Sequence, residues 1–226
     1  VTTNFTIHNY STWMRNFNGA PLPPALDVLK LELPVAARAG ARGADMIGLG
    51  GWGYGGPSNY ILAKLMWDAE AEVDTLFDEW VQLAYGPAAG PMRELILLIE
   101  DRFRDWKVRE SPVYRGMMYE VNHELIDDVY RPAMADIERL YRAALAAAES
   151  KRQRQRIEMY GENLVMLHYN MRRAGMELPS PESSIFYRNE ADYEQFLKDT
   201  EFSIAVYRDY DRRYLGPIWK GEWDGN

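Results

Sequence analysis

The chain has 226 residues, 47% of them hydrophobic, with 26 basic and 34 acidic side chains and a net charge of −8. That is enough apolar material for one or two globular domains, which excludes a disordered chain, and the acidic balance argues against a nucleic-acid partner, which needs a basic face. No run reaches the ~18 consecutive apolar residues of a membrane span, and with no cysteine disulfides and thiolate chemistry are excluded while the compartment stays open.

Residues 4–10 (NFTIHNY) are rich in β-formers and predict a short strand. Residues 18–24 (NGAPLPP) are a loop by their Gly and Pro content. A short helix is expected over residues 31–39, with Pro34 in its first turn and Gly40 closing it. Residues 44–49 (ADMIGL) form a second apolar run of strand length. Strand, helix, strand is the rhythm of a parallel sheet. A glycine-rich loop over residues 48–56 follows, carrying Trp52 and Tyr54. Ser58 is expected to cap the next helix, which runs to Trp67.

From there the signals are helical. Val73, Leu76, Phe77, Trp80, Val81 and Ala84 fall on one apolar stripe. Met92, Leu95, Ile96, Ile99, Phe103 and Trp106 form a second. Ala133, Ile137, Leu140, Tyr141, Ala144, Leu145 and Ala148 form a third, with Pro132 fitting its first turn or kinking a helix begun near Met117. Ile157, Tyr160, Leu164, Leu167, His168 and Met171 form a fourth, with Gly175 as its cap. Tyr193, Phe196, Leu197, Ile204 and Tyr207 form a fifth, closed by Gly216-Pro217. Short loops between such stripes favour antiparallel neighbours, so a helical bundle is expected. Lys151 to Arg156 (KRQRQR) is the one basic run and is expected to be a solvated helix start.

Few motifs with a defined chemistry survive inspection. Gly48, Gly50 and Gly53 match G-x-G-x-x-G, but a dinucleotide site needs the helix to open at the third glycine, and residues 54–57 intervene. His123-Glu124 lacks the second histidine of H-E-x-x-H, since position 127 is Asp, and the three histidines at 8, 123 and 168 are dispersed; no metal site and no cofactor are expected. Asp127-Asp128 and Asp209 with Asp211 are expected as solvated, ion-paired faces. Trp52 and Tyr54 follow a strand directly; they either stack on a ligand or pack between elements. His8, Asn9, Tyr10 and Trp13 follow the first strand in the same way, and His8 is equally compatible with a structural role. Asp45 is expected in a salt bridge rather than in catalysis. No pair of carboxylates suited to glycoside hydrolysis stands out among Asp27, Glu32 and Asp45.

Residues 58–68 (SNYILAKLMWD), then Glu72-Val73-Asp74 and Tyr85-Gly86-Pro87-Ala88-Ala89, resemble the C-terminal signature of bacterial glycoside-hydrolase-like proteins with a (β/α)8 barrel. Some of these resemble α-glucuronidases in layout, and one branch includes endo-β-N-acetylglucosaminidases. Many are domains of unknown function. The resemblance implies that residues 1–66 end a barrel whose earlier strands lie upstream, and that residues 67–226 form a helical domain. The chain is then mainly α, a helical bundle preceded by the last βα units. Joined to the strand-end reading, this makes an oligosaccharide or polysaccharide the expected partner, met by His8, Asn9, Tyr10, Trp13, Trp52, Tyr54, Asn59 and Tyr60, with the catalytic carboxylates expected on the upstream strands; the resemblance also implies a location outside the cytoplasm. One departure is Ala69, where the family has proline after Trp-Asp. The rival expectation is a non-catalytic helical scaffold or protein-interaction module.

Overall fold

The computed structural model describes residues 4–10, 23–47, 52–109 and 126–173, with 191, 194, 195 and 198. The chain divides into two compact units, residues 1–167 and 168–226. The expectations for Trp13, His123, Gly175, the 193–207 stripe and Asp209 with Asp211 lie outside the described side chains.

The protein is mainly helical. Strand β1 (Phe5–Tyr10) and strand β2 (Ala41–Ile47) pair in parallel. Between them run α1 (Leu26–Leu29) and α2 (Glu32–Arg38). The register sets Ile7 beside Ala44 and His8 beside Asp45, with an irregularity between Phe5 and Thr6. Helix α2 carries the expected Pro34 in its first turn, where the missing amide is not needed. It ends at Gly40, whose φ of 96° would strain any residue with a Cβ. β2 then begins at Ala41, earlier than the apolar run alone indicates.

The glycine-rich segment departs from expectation. Helix α3 spans Trp52–Trp67 and includes Pro57, so residues 52–56 are helix rather than loop. Ser58 is not a cap; it is buried within the helix and its Oγ donates to the Pro24 carbonyl at 3.1 Å. The glycines are there for space. A Cβ on Gly53 would meet the Met159 carbonyl, and one on Gly56 would lie 2.5 Å from the Trp80 ring. Each glycine disfavours a helix by ~1 kcal/mol relative to alanine. Burial of Tyr54, Ile61, Leu62 and Leu65 offsets this, since a fully buried large apolar side chain contributes about 1.5–3 kcal/mol.

Helix α4 (Val73–Tyr85) buries Val73, Leu76, Phe77 and Val81 and leaves Trp80 half-buried. It stops at Gly86, with φ of 55°, and Pro87 enters a short 3-10 turn (Gly86–Ala88). Helix α5 (Ala89–Arg109) buries its whole expected stripe, from Met92 to Trp106. A π turn (Ile126–Tyr130) and a 3-10 turn (Arg131–Ala133) lead into α6 (Met134–Ala147), so Pro132 precedes that helix. Helix α7 (Lys151–Arg173) starts with a reciprocal cap. The Gln153 amide donates to Ser150 Oγ at 3.2 Å, and the Ser150 amide donates to Gln153 Oε1 at 3.0 Å. Helices α5 and α6 pack together, as do α3 and α4, and α4 and α5. No helix among the described residues is long and apolar enough to cross a membrane.

Two glycines of these helices separate spacing from propensity. Gly53→Ala is expected to lower stability by about 1–3 kcal/mol through overpacking. Gly90, with open space where a Cβ would go, should give Gly90→Ala a gain of roughly 0.5 kcal/mol. Urea denaturation of the two variants measures both; a stabilised Gly53→Ala would contradict the close approach.

Candidate functional site

The two strands present unlike faces. Ile7 and Ala44 point toward the helices: with Leu33, Ala36 and Leu65 they line a groove of about 220 Å³. The other face carries Thr6, whose Cγ2 would lie 3.5 Å from a Cβ on Gly43. Two residues further along, and so on the same face, are His8 and Asp45. The His8 Nδ1 and the Asp45 Oδ2 are 2.8 Å apart, and both side chains are exposed, at 58% and 79%. The sheet register makes this pair, because it sets the two residues directly side by side. A carboxylate on one ring nitrogen orients the imidazole and fixes its tautomer. Asp45 thus takes a polar partner, but toward the C-terminal end of β2 rather than in a salt bridge at the strand's N-terminal end.

The other expected site residues scatter. Asn9 and Tyr10 complete β1 as backbone, and Trp52 opens α3 as backbone; their side chains lie outside the described ones. Tyr54 is 2% exposed, so it packs in the core rather than lining an open mouth. Asn59 is half-buried. Tyr60 is half-buried and borders a second cleft, of about 270 Å³, with Trp80, Leu83, Arg156 and Met159. Lys64 sits 5.2 Å from the centre of the Tyr60 ring and 4.0 Å from Glu79. The hydrogen bond with Tyr60, then the charge of Glu79, hold the Lys64 ammonium above its usual range. The strand pair and the cleft are therefore two places, and the sequence reading had merged them.

The basic run at the start of α7 has a structural use that spacing did not reveal. Arg154 Nη2 donates to the Leu145 carbonyl at 3.1 Å, and Arg156 Nη1 donates to the Leu83 and Ala84 carbonyls at 3.1 and 3.0 Å. Both guanidinium groups thus satisfy carbonyls at the C-terminal ends of neighbouring helices, where cations are favoured. Asp127 pairs with Arg131 at 2.6 Å on an exposed face, as expected.

Among the described residues one buried carboxylate stands out, Glu100, which sequence reasoning missed. It lies on α5, 5% exposed, and accepts the Ala25 and Leu26 amides at 2.8 and 2.9 Å. Ala25 has φ of 57°, a strained value for a residue with a Cβ. Glu100 holds that turn in place. Burial, outweighing the two amides, pushes its carboxyl up to about 7. The signal in the sequence was an acidic residue directly after Ile99 on a stripe-bearing helix. Burial likewise raises the hydroxyls of Tyr54, Tyr85, Tyr130 and Tyr160 well above the usual range, which keeps them neutral. Burial lowers His168 to about 4.

Residues 1–97 match a family model described as a domain of unknown function, DUF4838. No curated protein and no solved structure matches the chain. The DUF4838 match takes in the strand pair, α3 and α4, and stops within α5; Glu100 and Arg156 lie beyond it.

Glu100 and His168 make opposite demands on pH. Unfolded, Glu100 loses its proton near 4.5; folded, near 7. The folded state holds the extra proton in that window, so stability falls as pH rises through it. His168 is protonated near 6.5 unfolded and near 4 folded, so stability is lost as pH falls from 6.5 toward 4. The two slopes have opposite signs between pH 4.5 and 6.5. Glu100→Gln keeps an acceptor oxygen for one of the two amides, sets its NH2 against the other, and removes one side of the balance. Relative to the wild type, its stability is expected to climb by up to about 3 kcal/mol from pH 4.5 to 6.5, because the Glu100 slope is gone. Tm measured across that range checks this; parallel profiles would refute the burial effect.

Proposed function

We propose that this chain is the C-terminal portion of a carbohydrate-active enzyme, a glycoside-hydrolase-like protein acting on an oligosaccharide or polysaccharide outside the cytoplasm. The observation that carries the reading is the parallel strand pair with helices on one face and His8–Asp45 on the other. In a βα barrel the helix-covered face is the outer one, and polar groups toward the C-terminal ends of strands reach the substrate. Two parallel strands do not make a stable sheet alone, so the proposal includes further βα units on the open strand edges. His8 and Asp45 contact substrate hydroxyls, and the catalytic carboxylates lie on those further units. Trp13 and Trp52, at the ends of the same strands in sequence, supply stacking rings. Tyr54 is withdrawn from the ligand and assigned to packing.

A second reading, a non-catalytic helical scaffold, is favoured by one feature. The glycine-rich segment is packed helix, and most of the described residues are helical.

In the protein carrying its upstream sequence, His8→Ala is expected to weaken oligosaccharide binding about tenfold, the scale of one lost charge-assisted hydrogen bond, with Tm unchanged because the pair is exposed. Isothermal titration with a panel of oligosaccharides reads the first and a calorimetric thermal scan the second. Absence of any binding or cleavage by that protein leaves the scaffold reading standing.

A further inference from the structure

The cleft between α3, α4 and α7 holds an arginine that is only half used. Arg156 has five N–H donors. Nη1 spends its two on the Leu83 and Ala84 carbonyls. Nε and Nη2 keep three, and no protein acceptor takes them among the described residues. They form the flat, two-pronged edge of a guanidinium, the geometry that fits a carboxylate side-on. The donations by Nη1 fix that edge, so little side-chain freedom is left to lose on binding.

The surroundings are apolar and aromatic. Trp80 stands edge-on to Tyr85, with ring centres 5.4 Å apart, and packs closely against Gly56. Tyr60 is half-buried on the α3 side. Leu83 and Met159 remain 64% and 41% exposed at the rim. The volume of about 270 Å³ falls just under the roughly 300 Å³ where pockets for drug-sized ligands begin, which suits a single ring. A flat ring can stack on Trp80 or Tyr60 while its acidic group reaches Arg156.

We propose that this cleft binds a pyranose bearing a carboxylate, with the acid group on the Nε/Nη2 edge of Arg156 and the sugar face against Trp80 and Tyr60. The choice of a pyranose over other flat acids rests on the carbohydrate reading above; the choice of an acidic ring rests on Arg156 alone. The site is separate from His8–Asp45 and needs no residue outside the chain.

The test is isothermal titration of the 226-residue chain with glucuronate and galacturonate, and with glucose and galactose as neutral counterparts. The acids are expected to bind at least tenfold more tightly than the neutral sugars. Arg156→Lys keeps a cation at the end of α4 but loses the two-pronged edge, and should weaken the acids about tenfold with Tm little changed. Leu83→Glu, an exposed rim position, should weaken them similarly even if Arg156 variants fold poorly. Equal binding of acids and neutral sugars, no binding of either, or acid binding indifferent to both substitutions overturns the proposal. Benzoate binding as tightly as the uronates overturns the sugar assignment. No hydrolysis by the longer protein, with acid binding intact, would sink the enzymatic reading and leave the cleft standing; hydrolysis without acid binding by the cleft would sink the cleft alone.

Discussion

Helix α3 can lie against α7 and α4 only because Gly53 and Gly56 have no side chains. One glycine admits the Met159 carbonyl and the other admits the Trp80 ring. Much else follows from that close approach. It brings Tyr60 alongside Trp80 and the first turns of α7, which creates the cleft. It buries Ser58 where it can tether α3 to the Pro24 carbonyl. It also sets α3 beside α1, and the strained residue just before α1, Ala25, is gripped from α5 by Glu100. A similar device recurs on α7, where a Cβ on Gly161 would strike the Tyr141 hydroxyl of α6.

Polar groups are used sparingly and mostly for closure. Helix ends are completed by side chains distant in sequence: Glu100 at the start of α1, and Arg154 and Arg156 at the ends of α6 and α4. Surface ion pairs such as Arg93–Asp78 and Arg139–Asp136 are exposed and add little to stability. The buried tyrosines contribute volume, with hydroxyls kept neutral by burial. What distinguishes Arg156 is that it serves as a helix cap and still presents donors to an apolar cleft.

Periodic features were legible in the sequence. The stripe from Met92 to Trp106 is buried entire, and the one from Ile157 to Met171 likewise. The parallel strand pair, Pro34, Gly40 and the Tyr85-Gly86-Pro87 stop all followed from local chemistry. The glycine-rich segment did not, because glycine's poor helix propensity signals a loop unless one knows what backbone or ring will press against it. Ser58 misled for the same reason, since a serine after proline resembles a cap until its tertiary partner is visible. Of the candidate site residues, His8 was legible as a strand-end donor, but its union with Asp45 depends on register. Tyr60 was legible only as an aromatic near a motif; Trp80 and Arg156 come to it from other helices.

The long-range caps bear on where the chain can be divided. The segment matching DUF4838 ends at position 97, inside a helix that runs on to Arg109. A fragment cut there would lose the carboxylate that anchors Ala25, the rings of Phe103 and Trp106, and the arginine that closes α4. The unit recognised by sequence similarity is therefore smaller than the unit that these contacts hold together. On a ribosome α4 would emerge more than 70 residues before Arg156, with its last carbonyls left to water until α7 arrived.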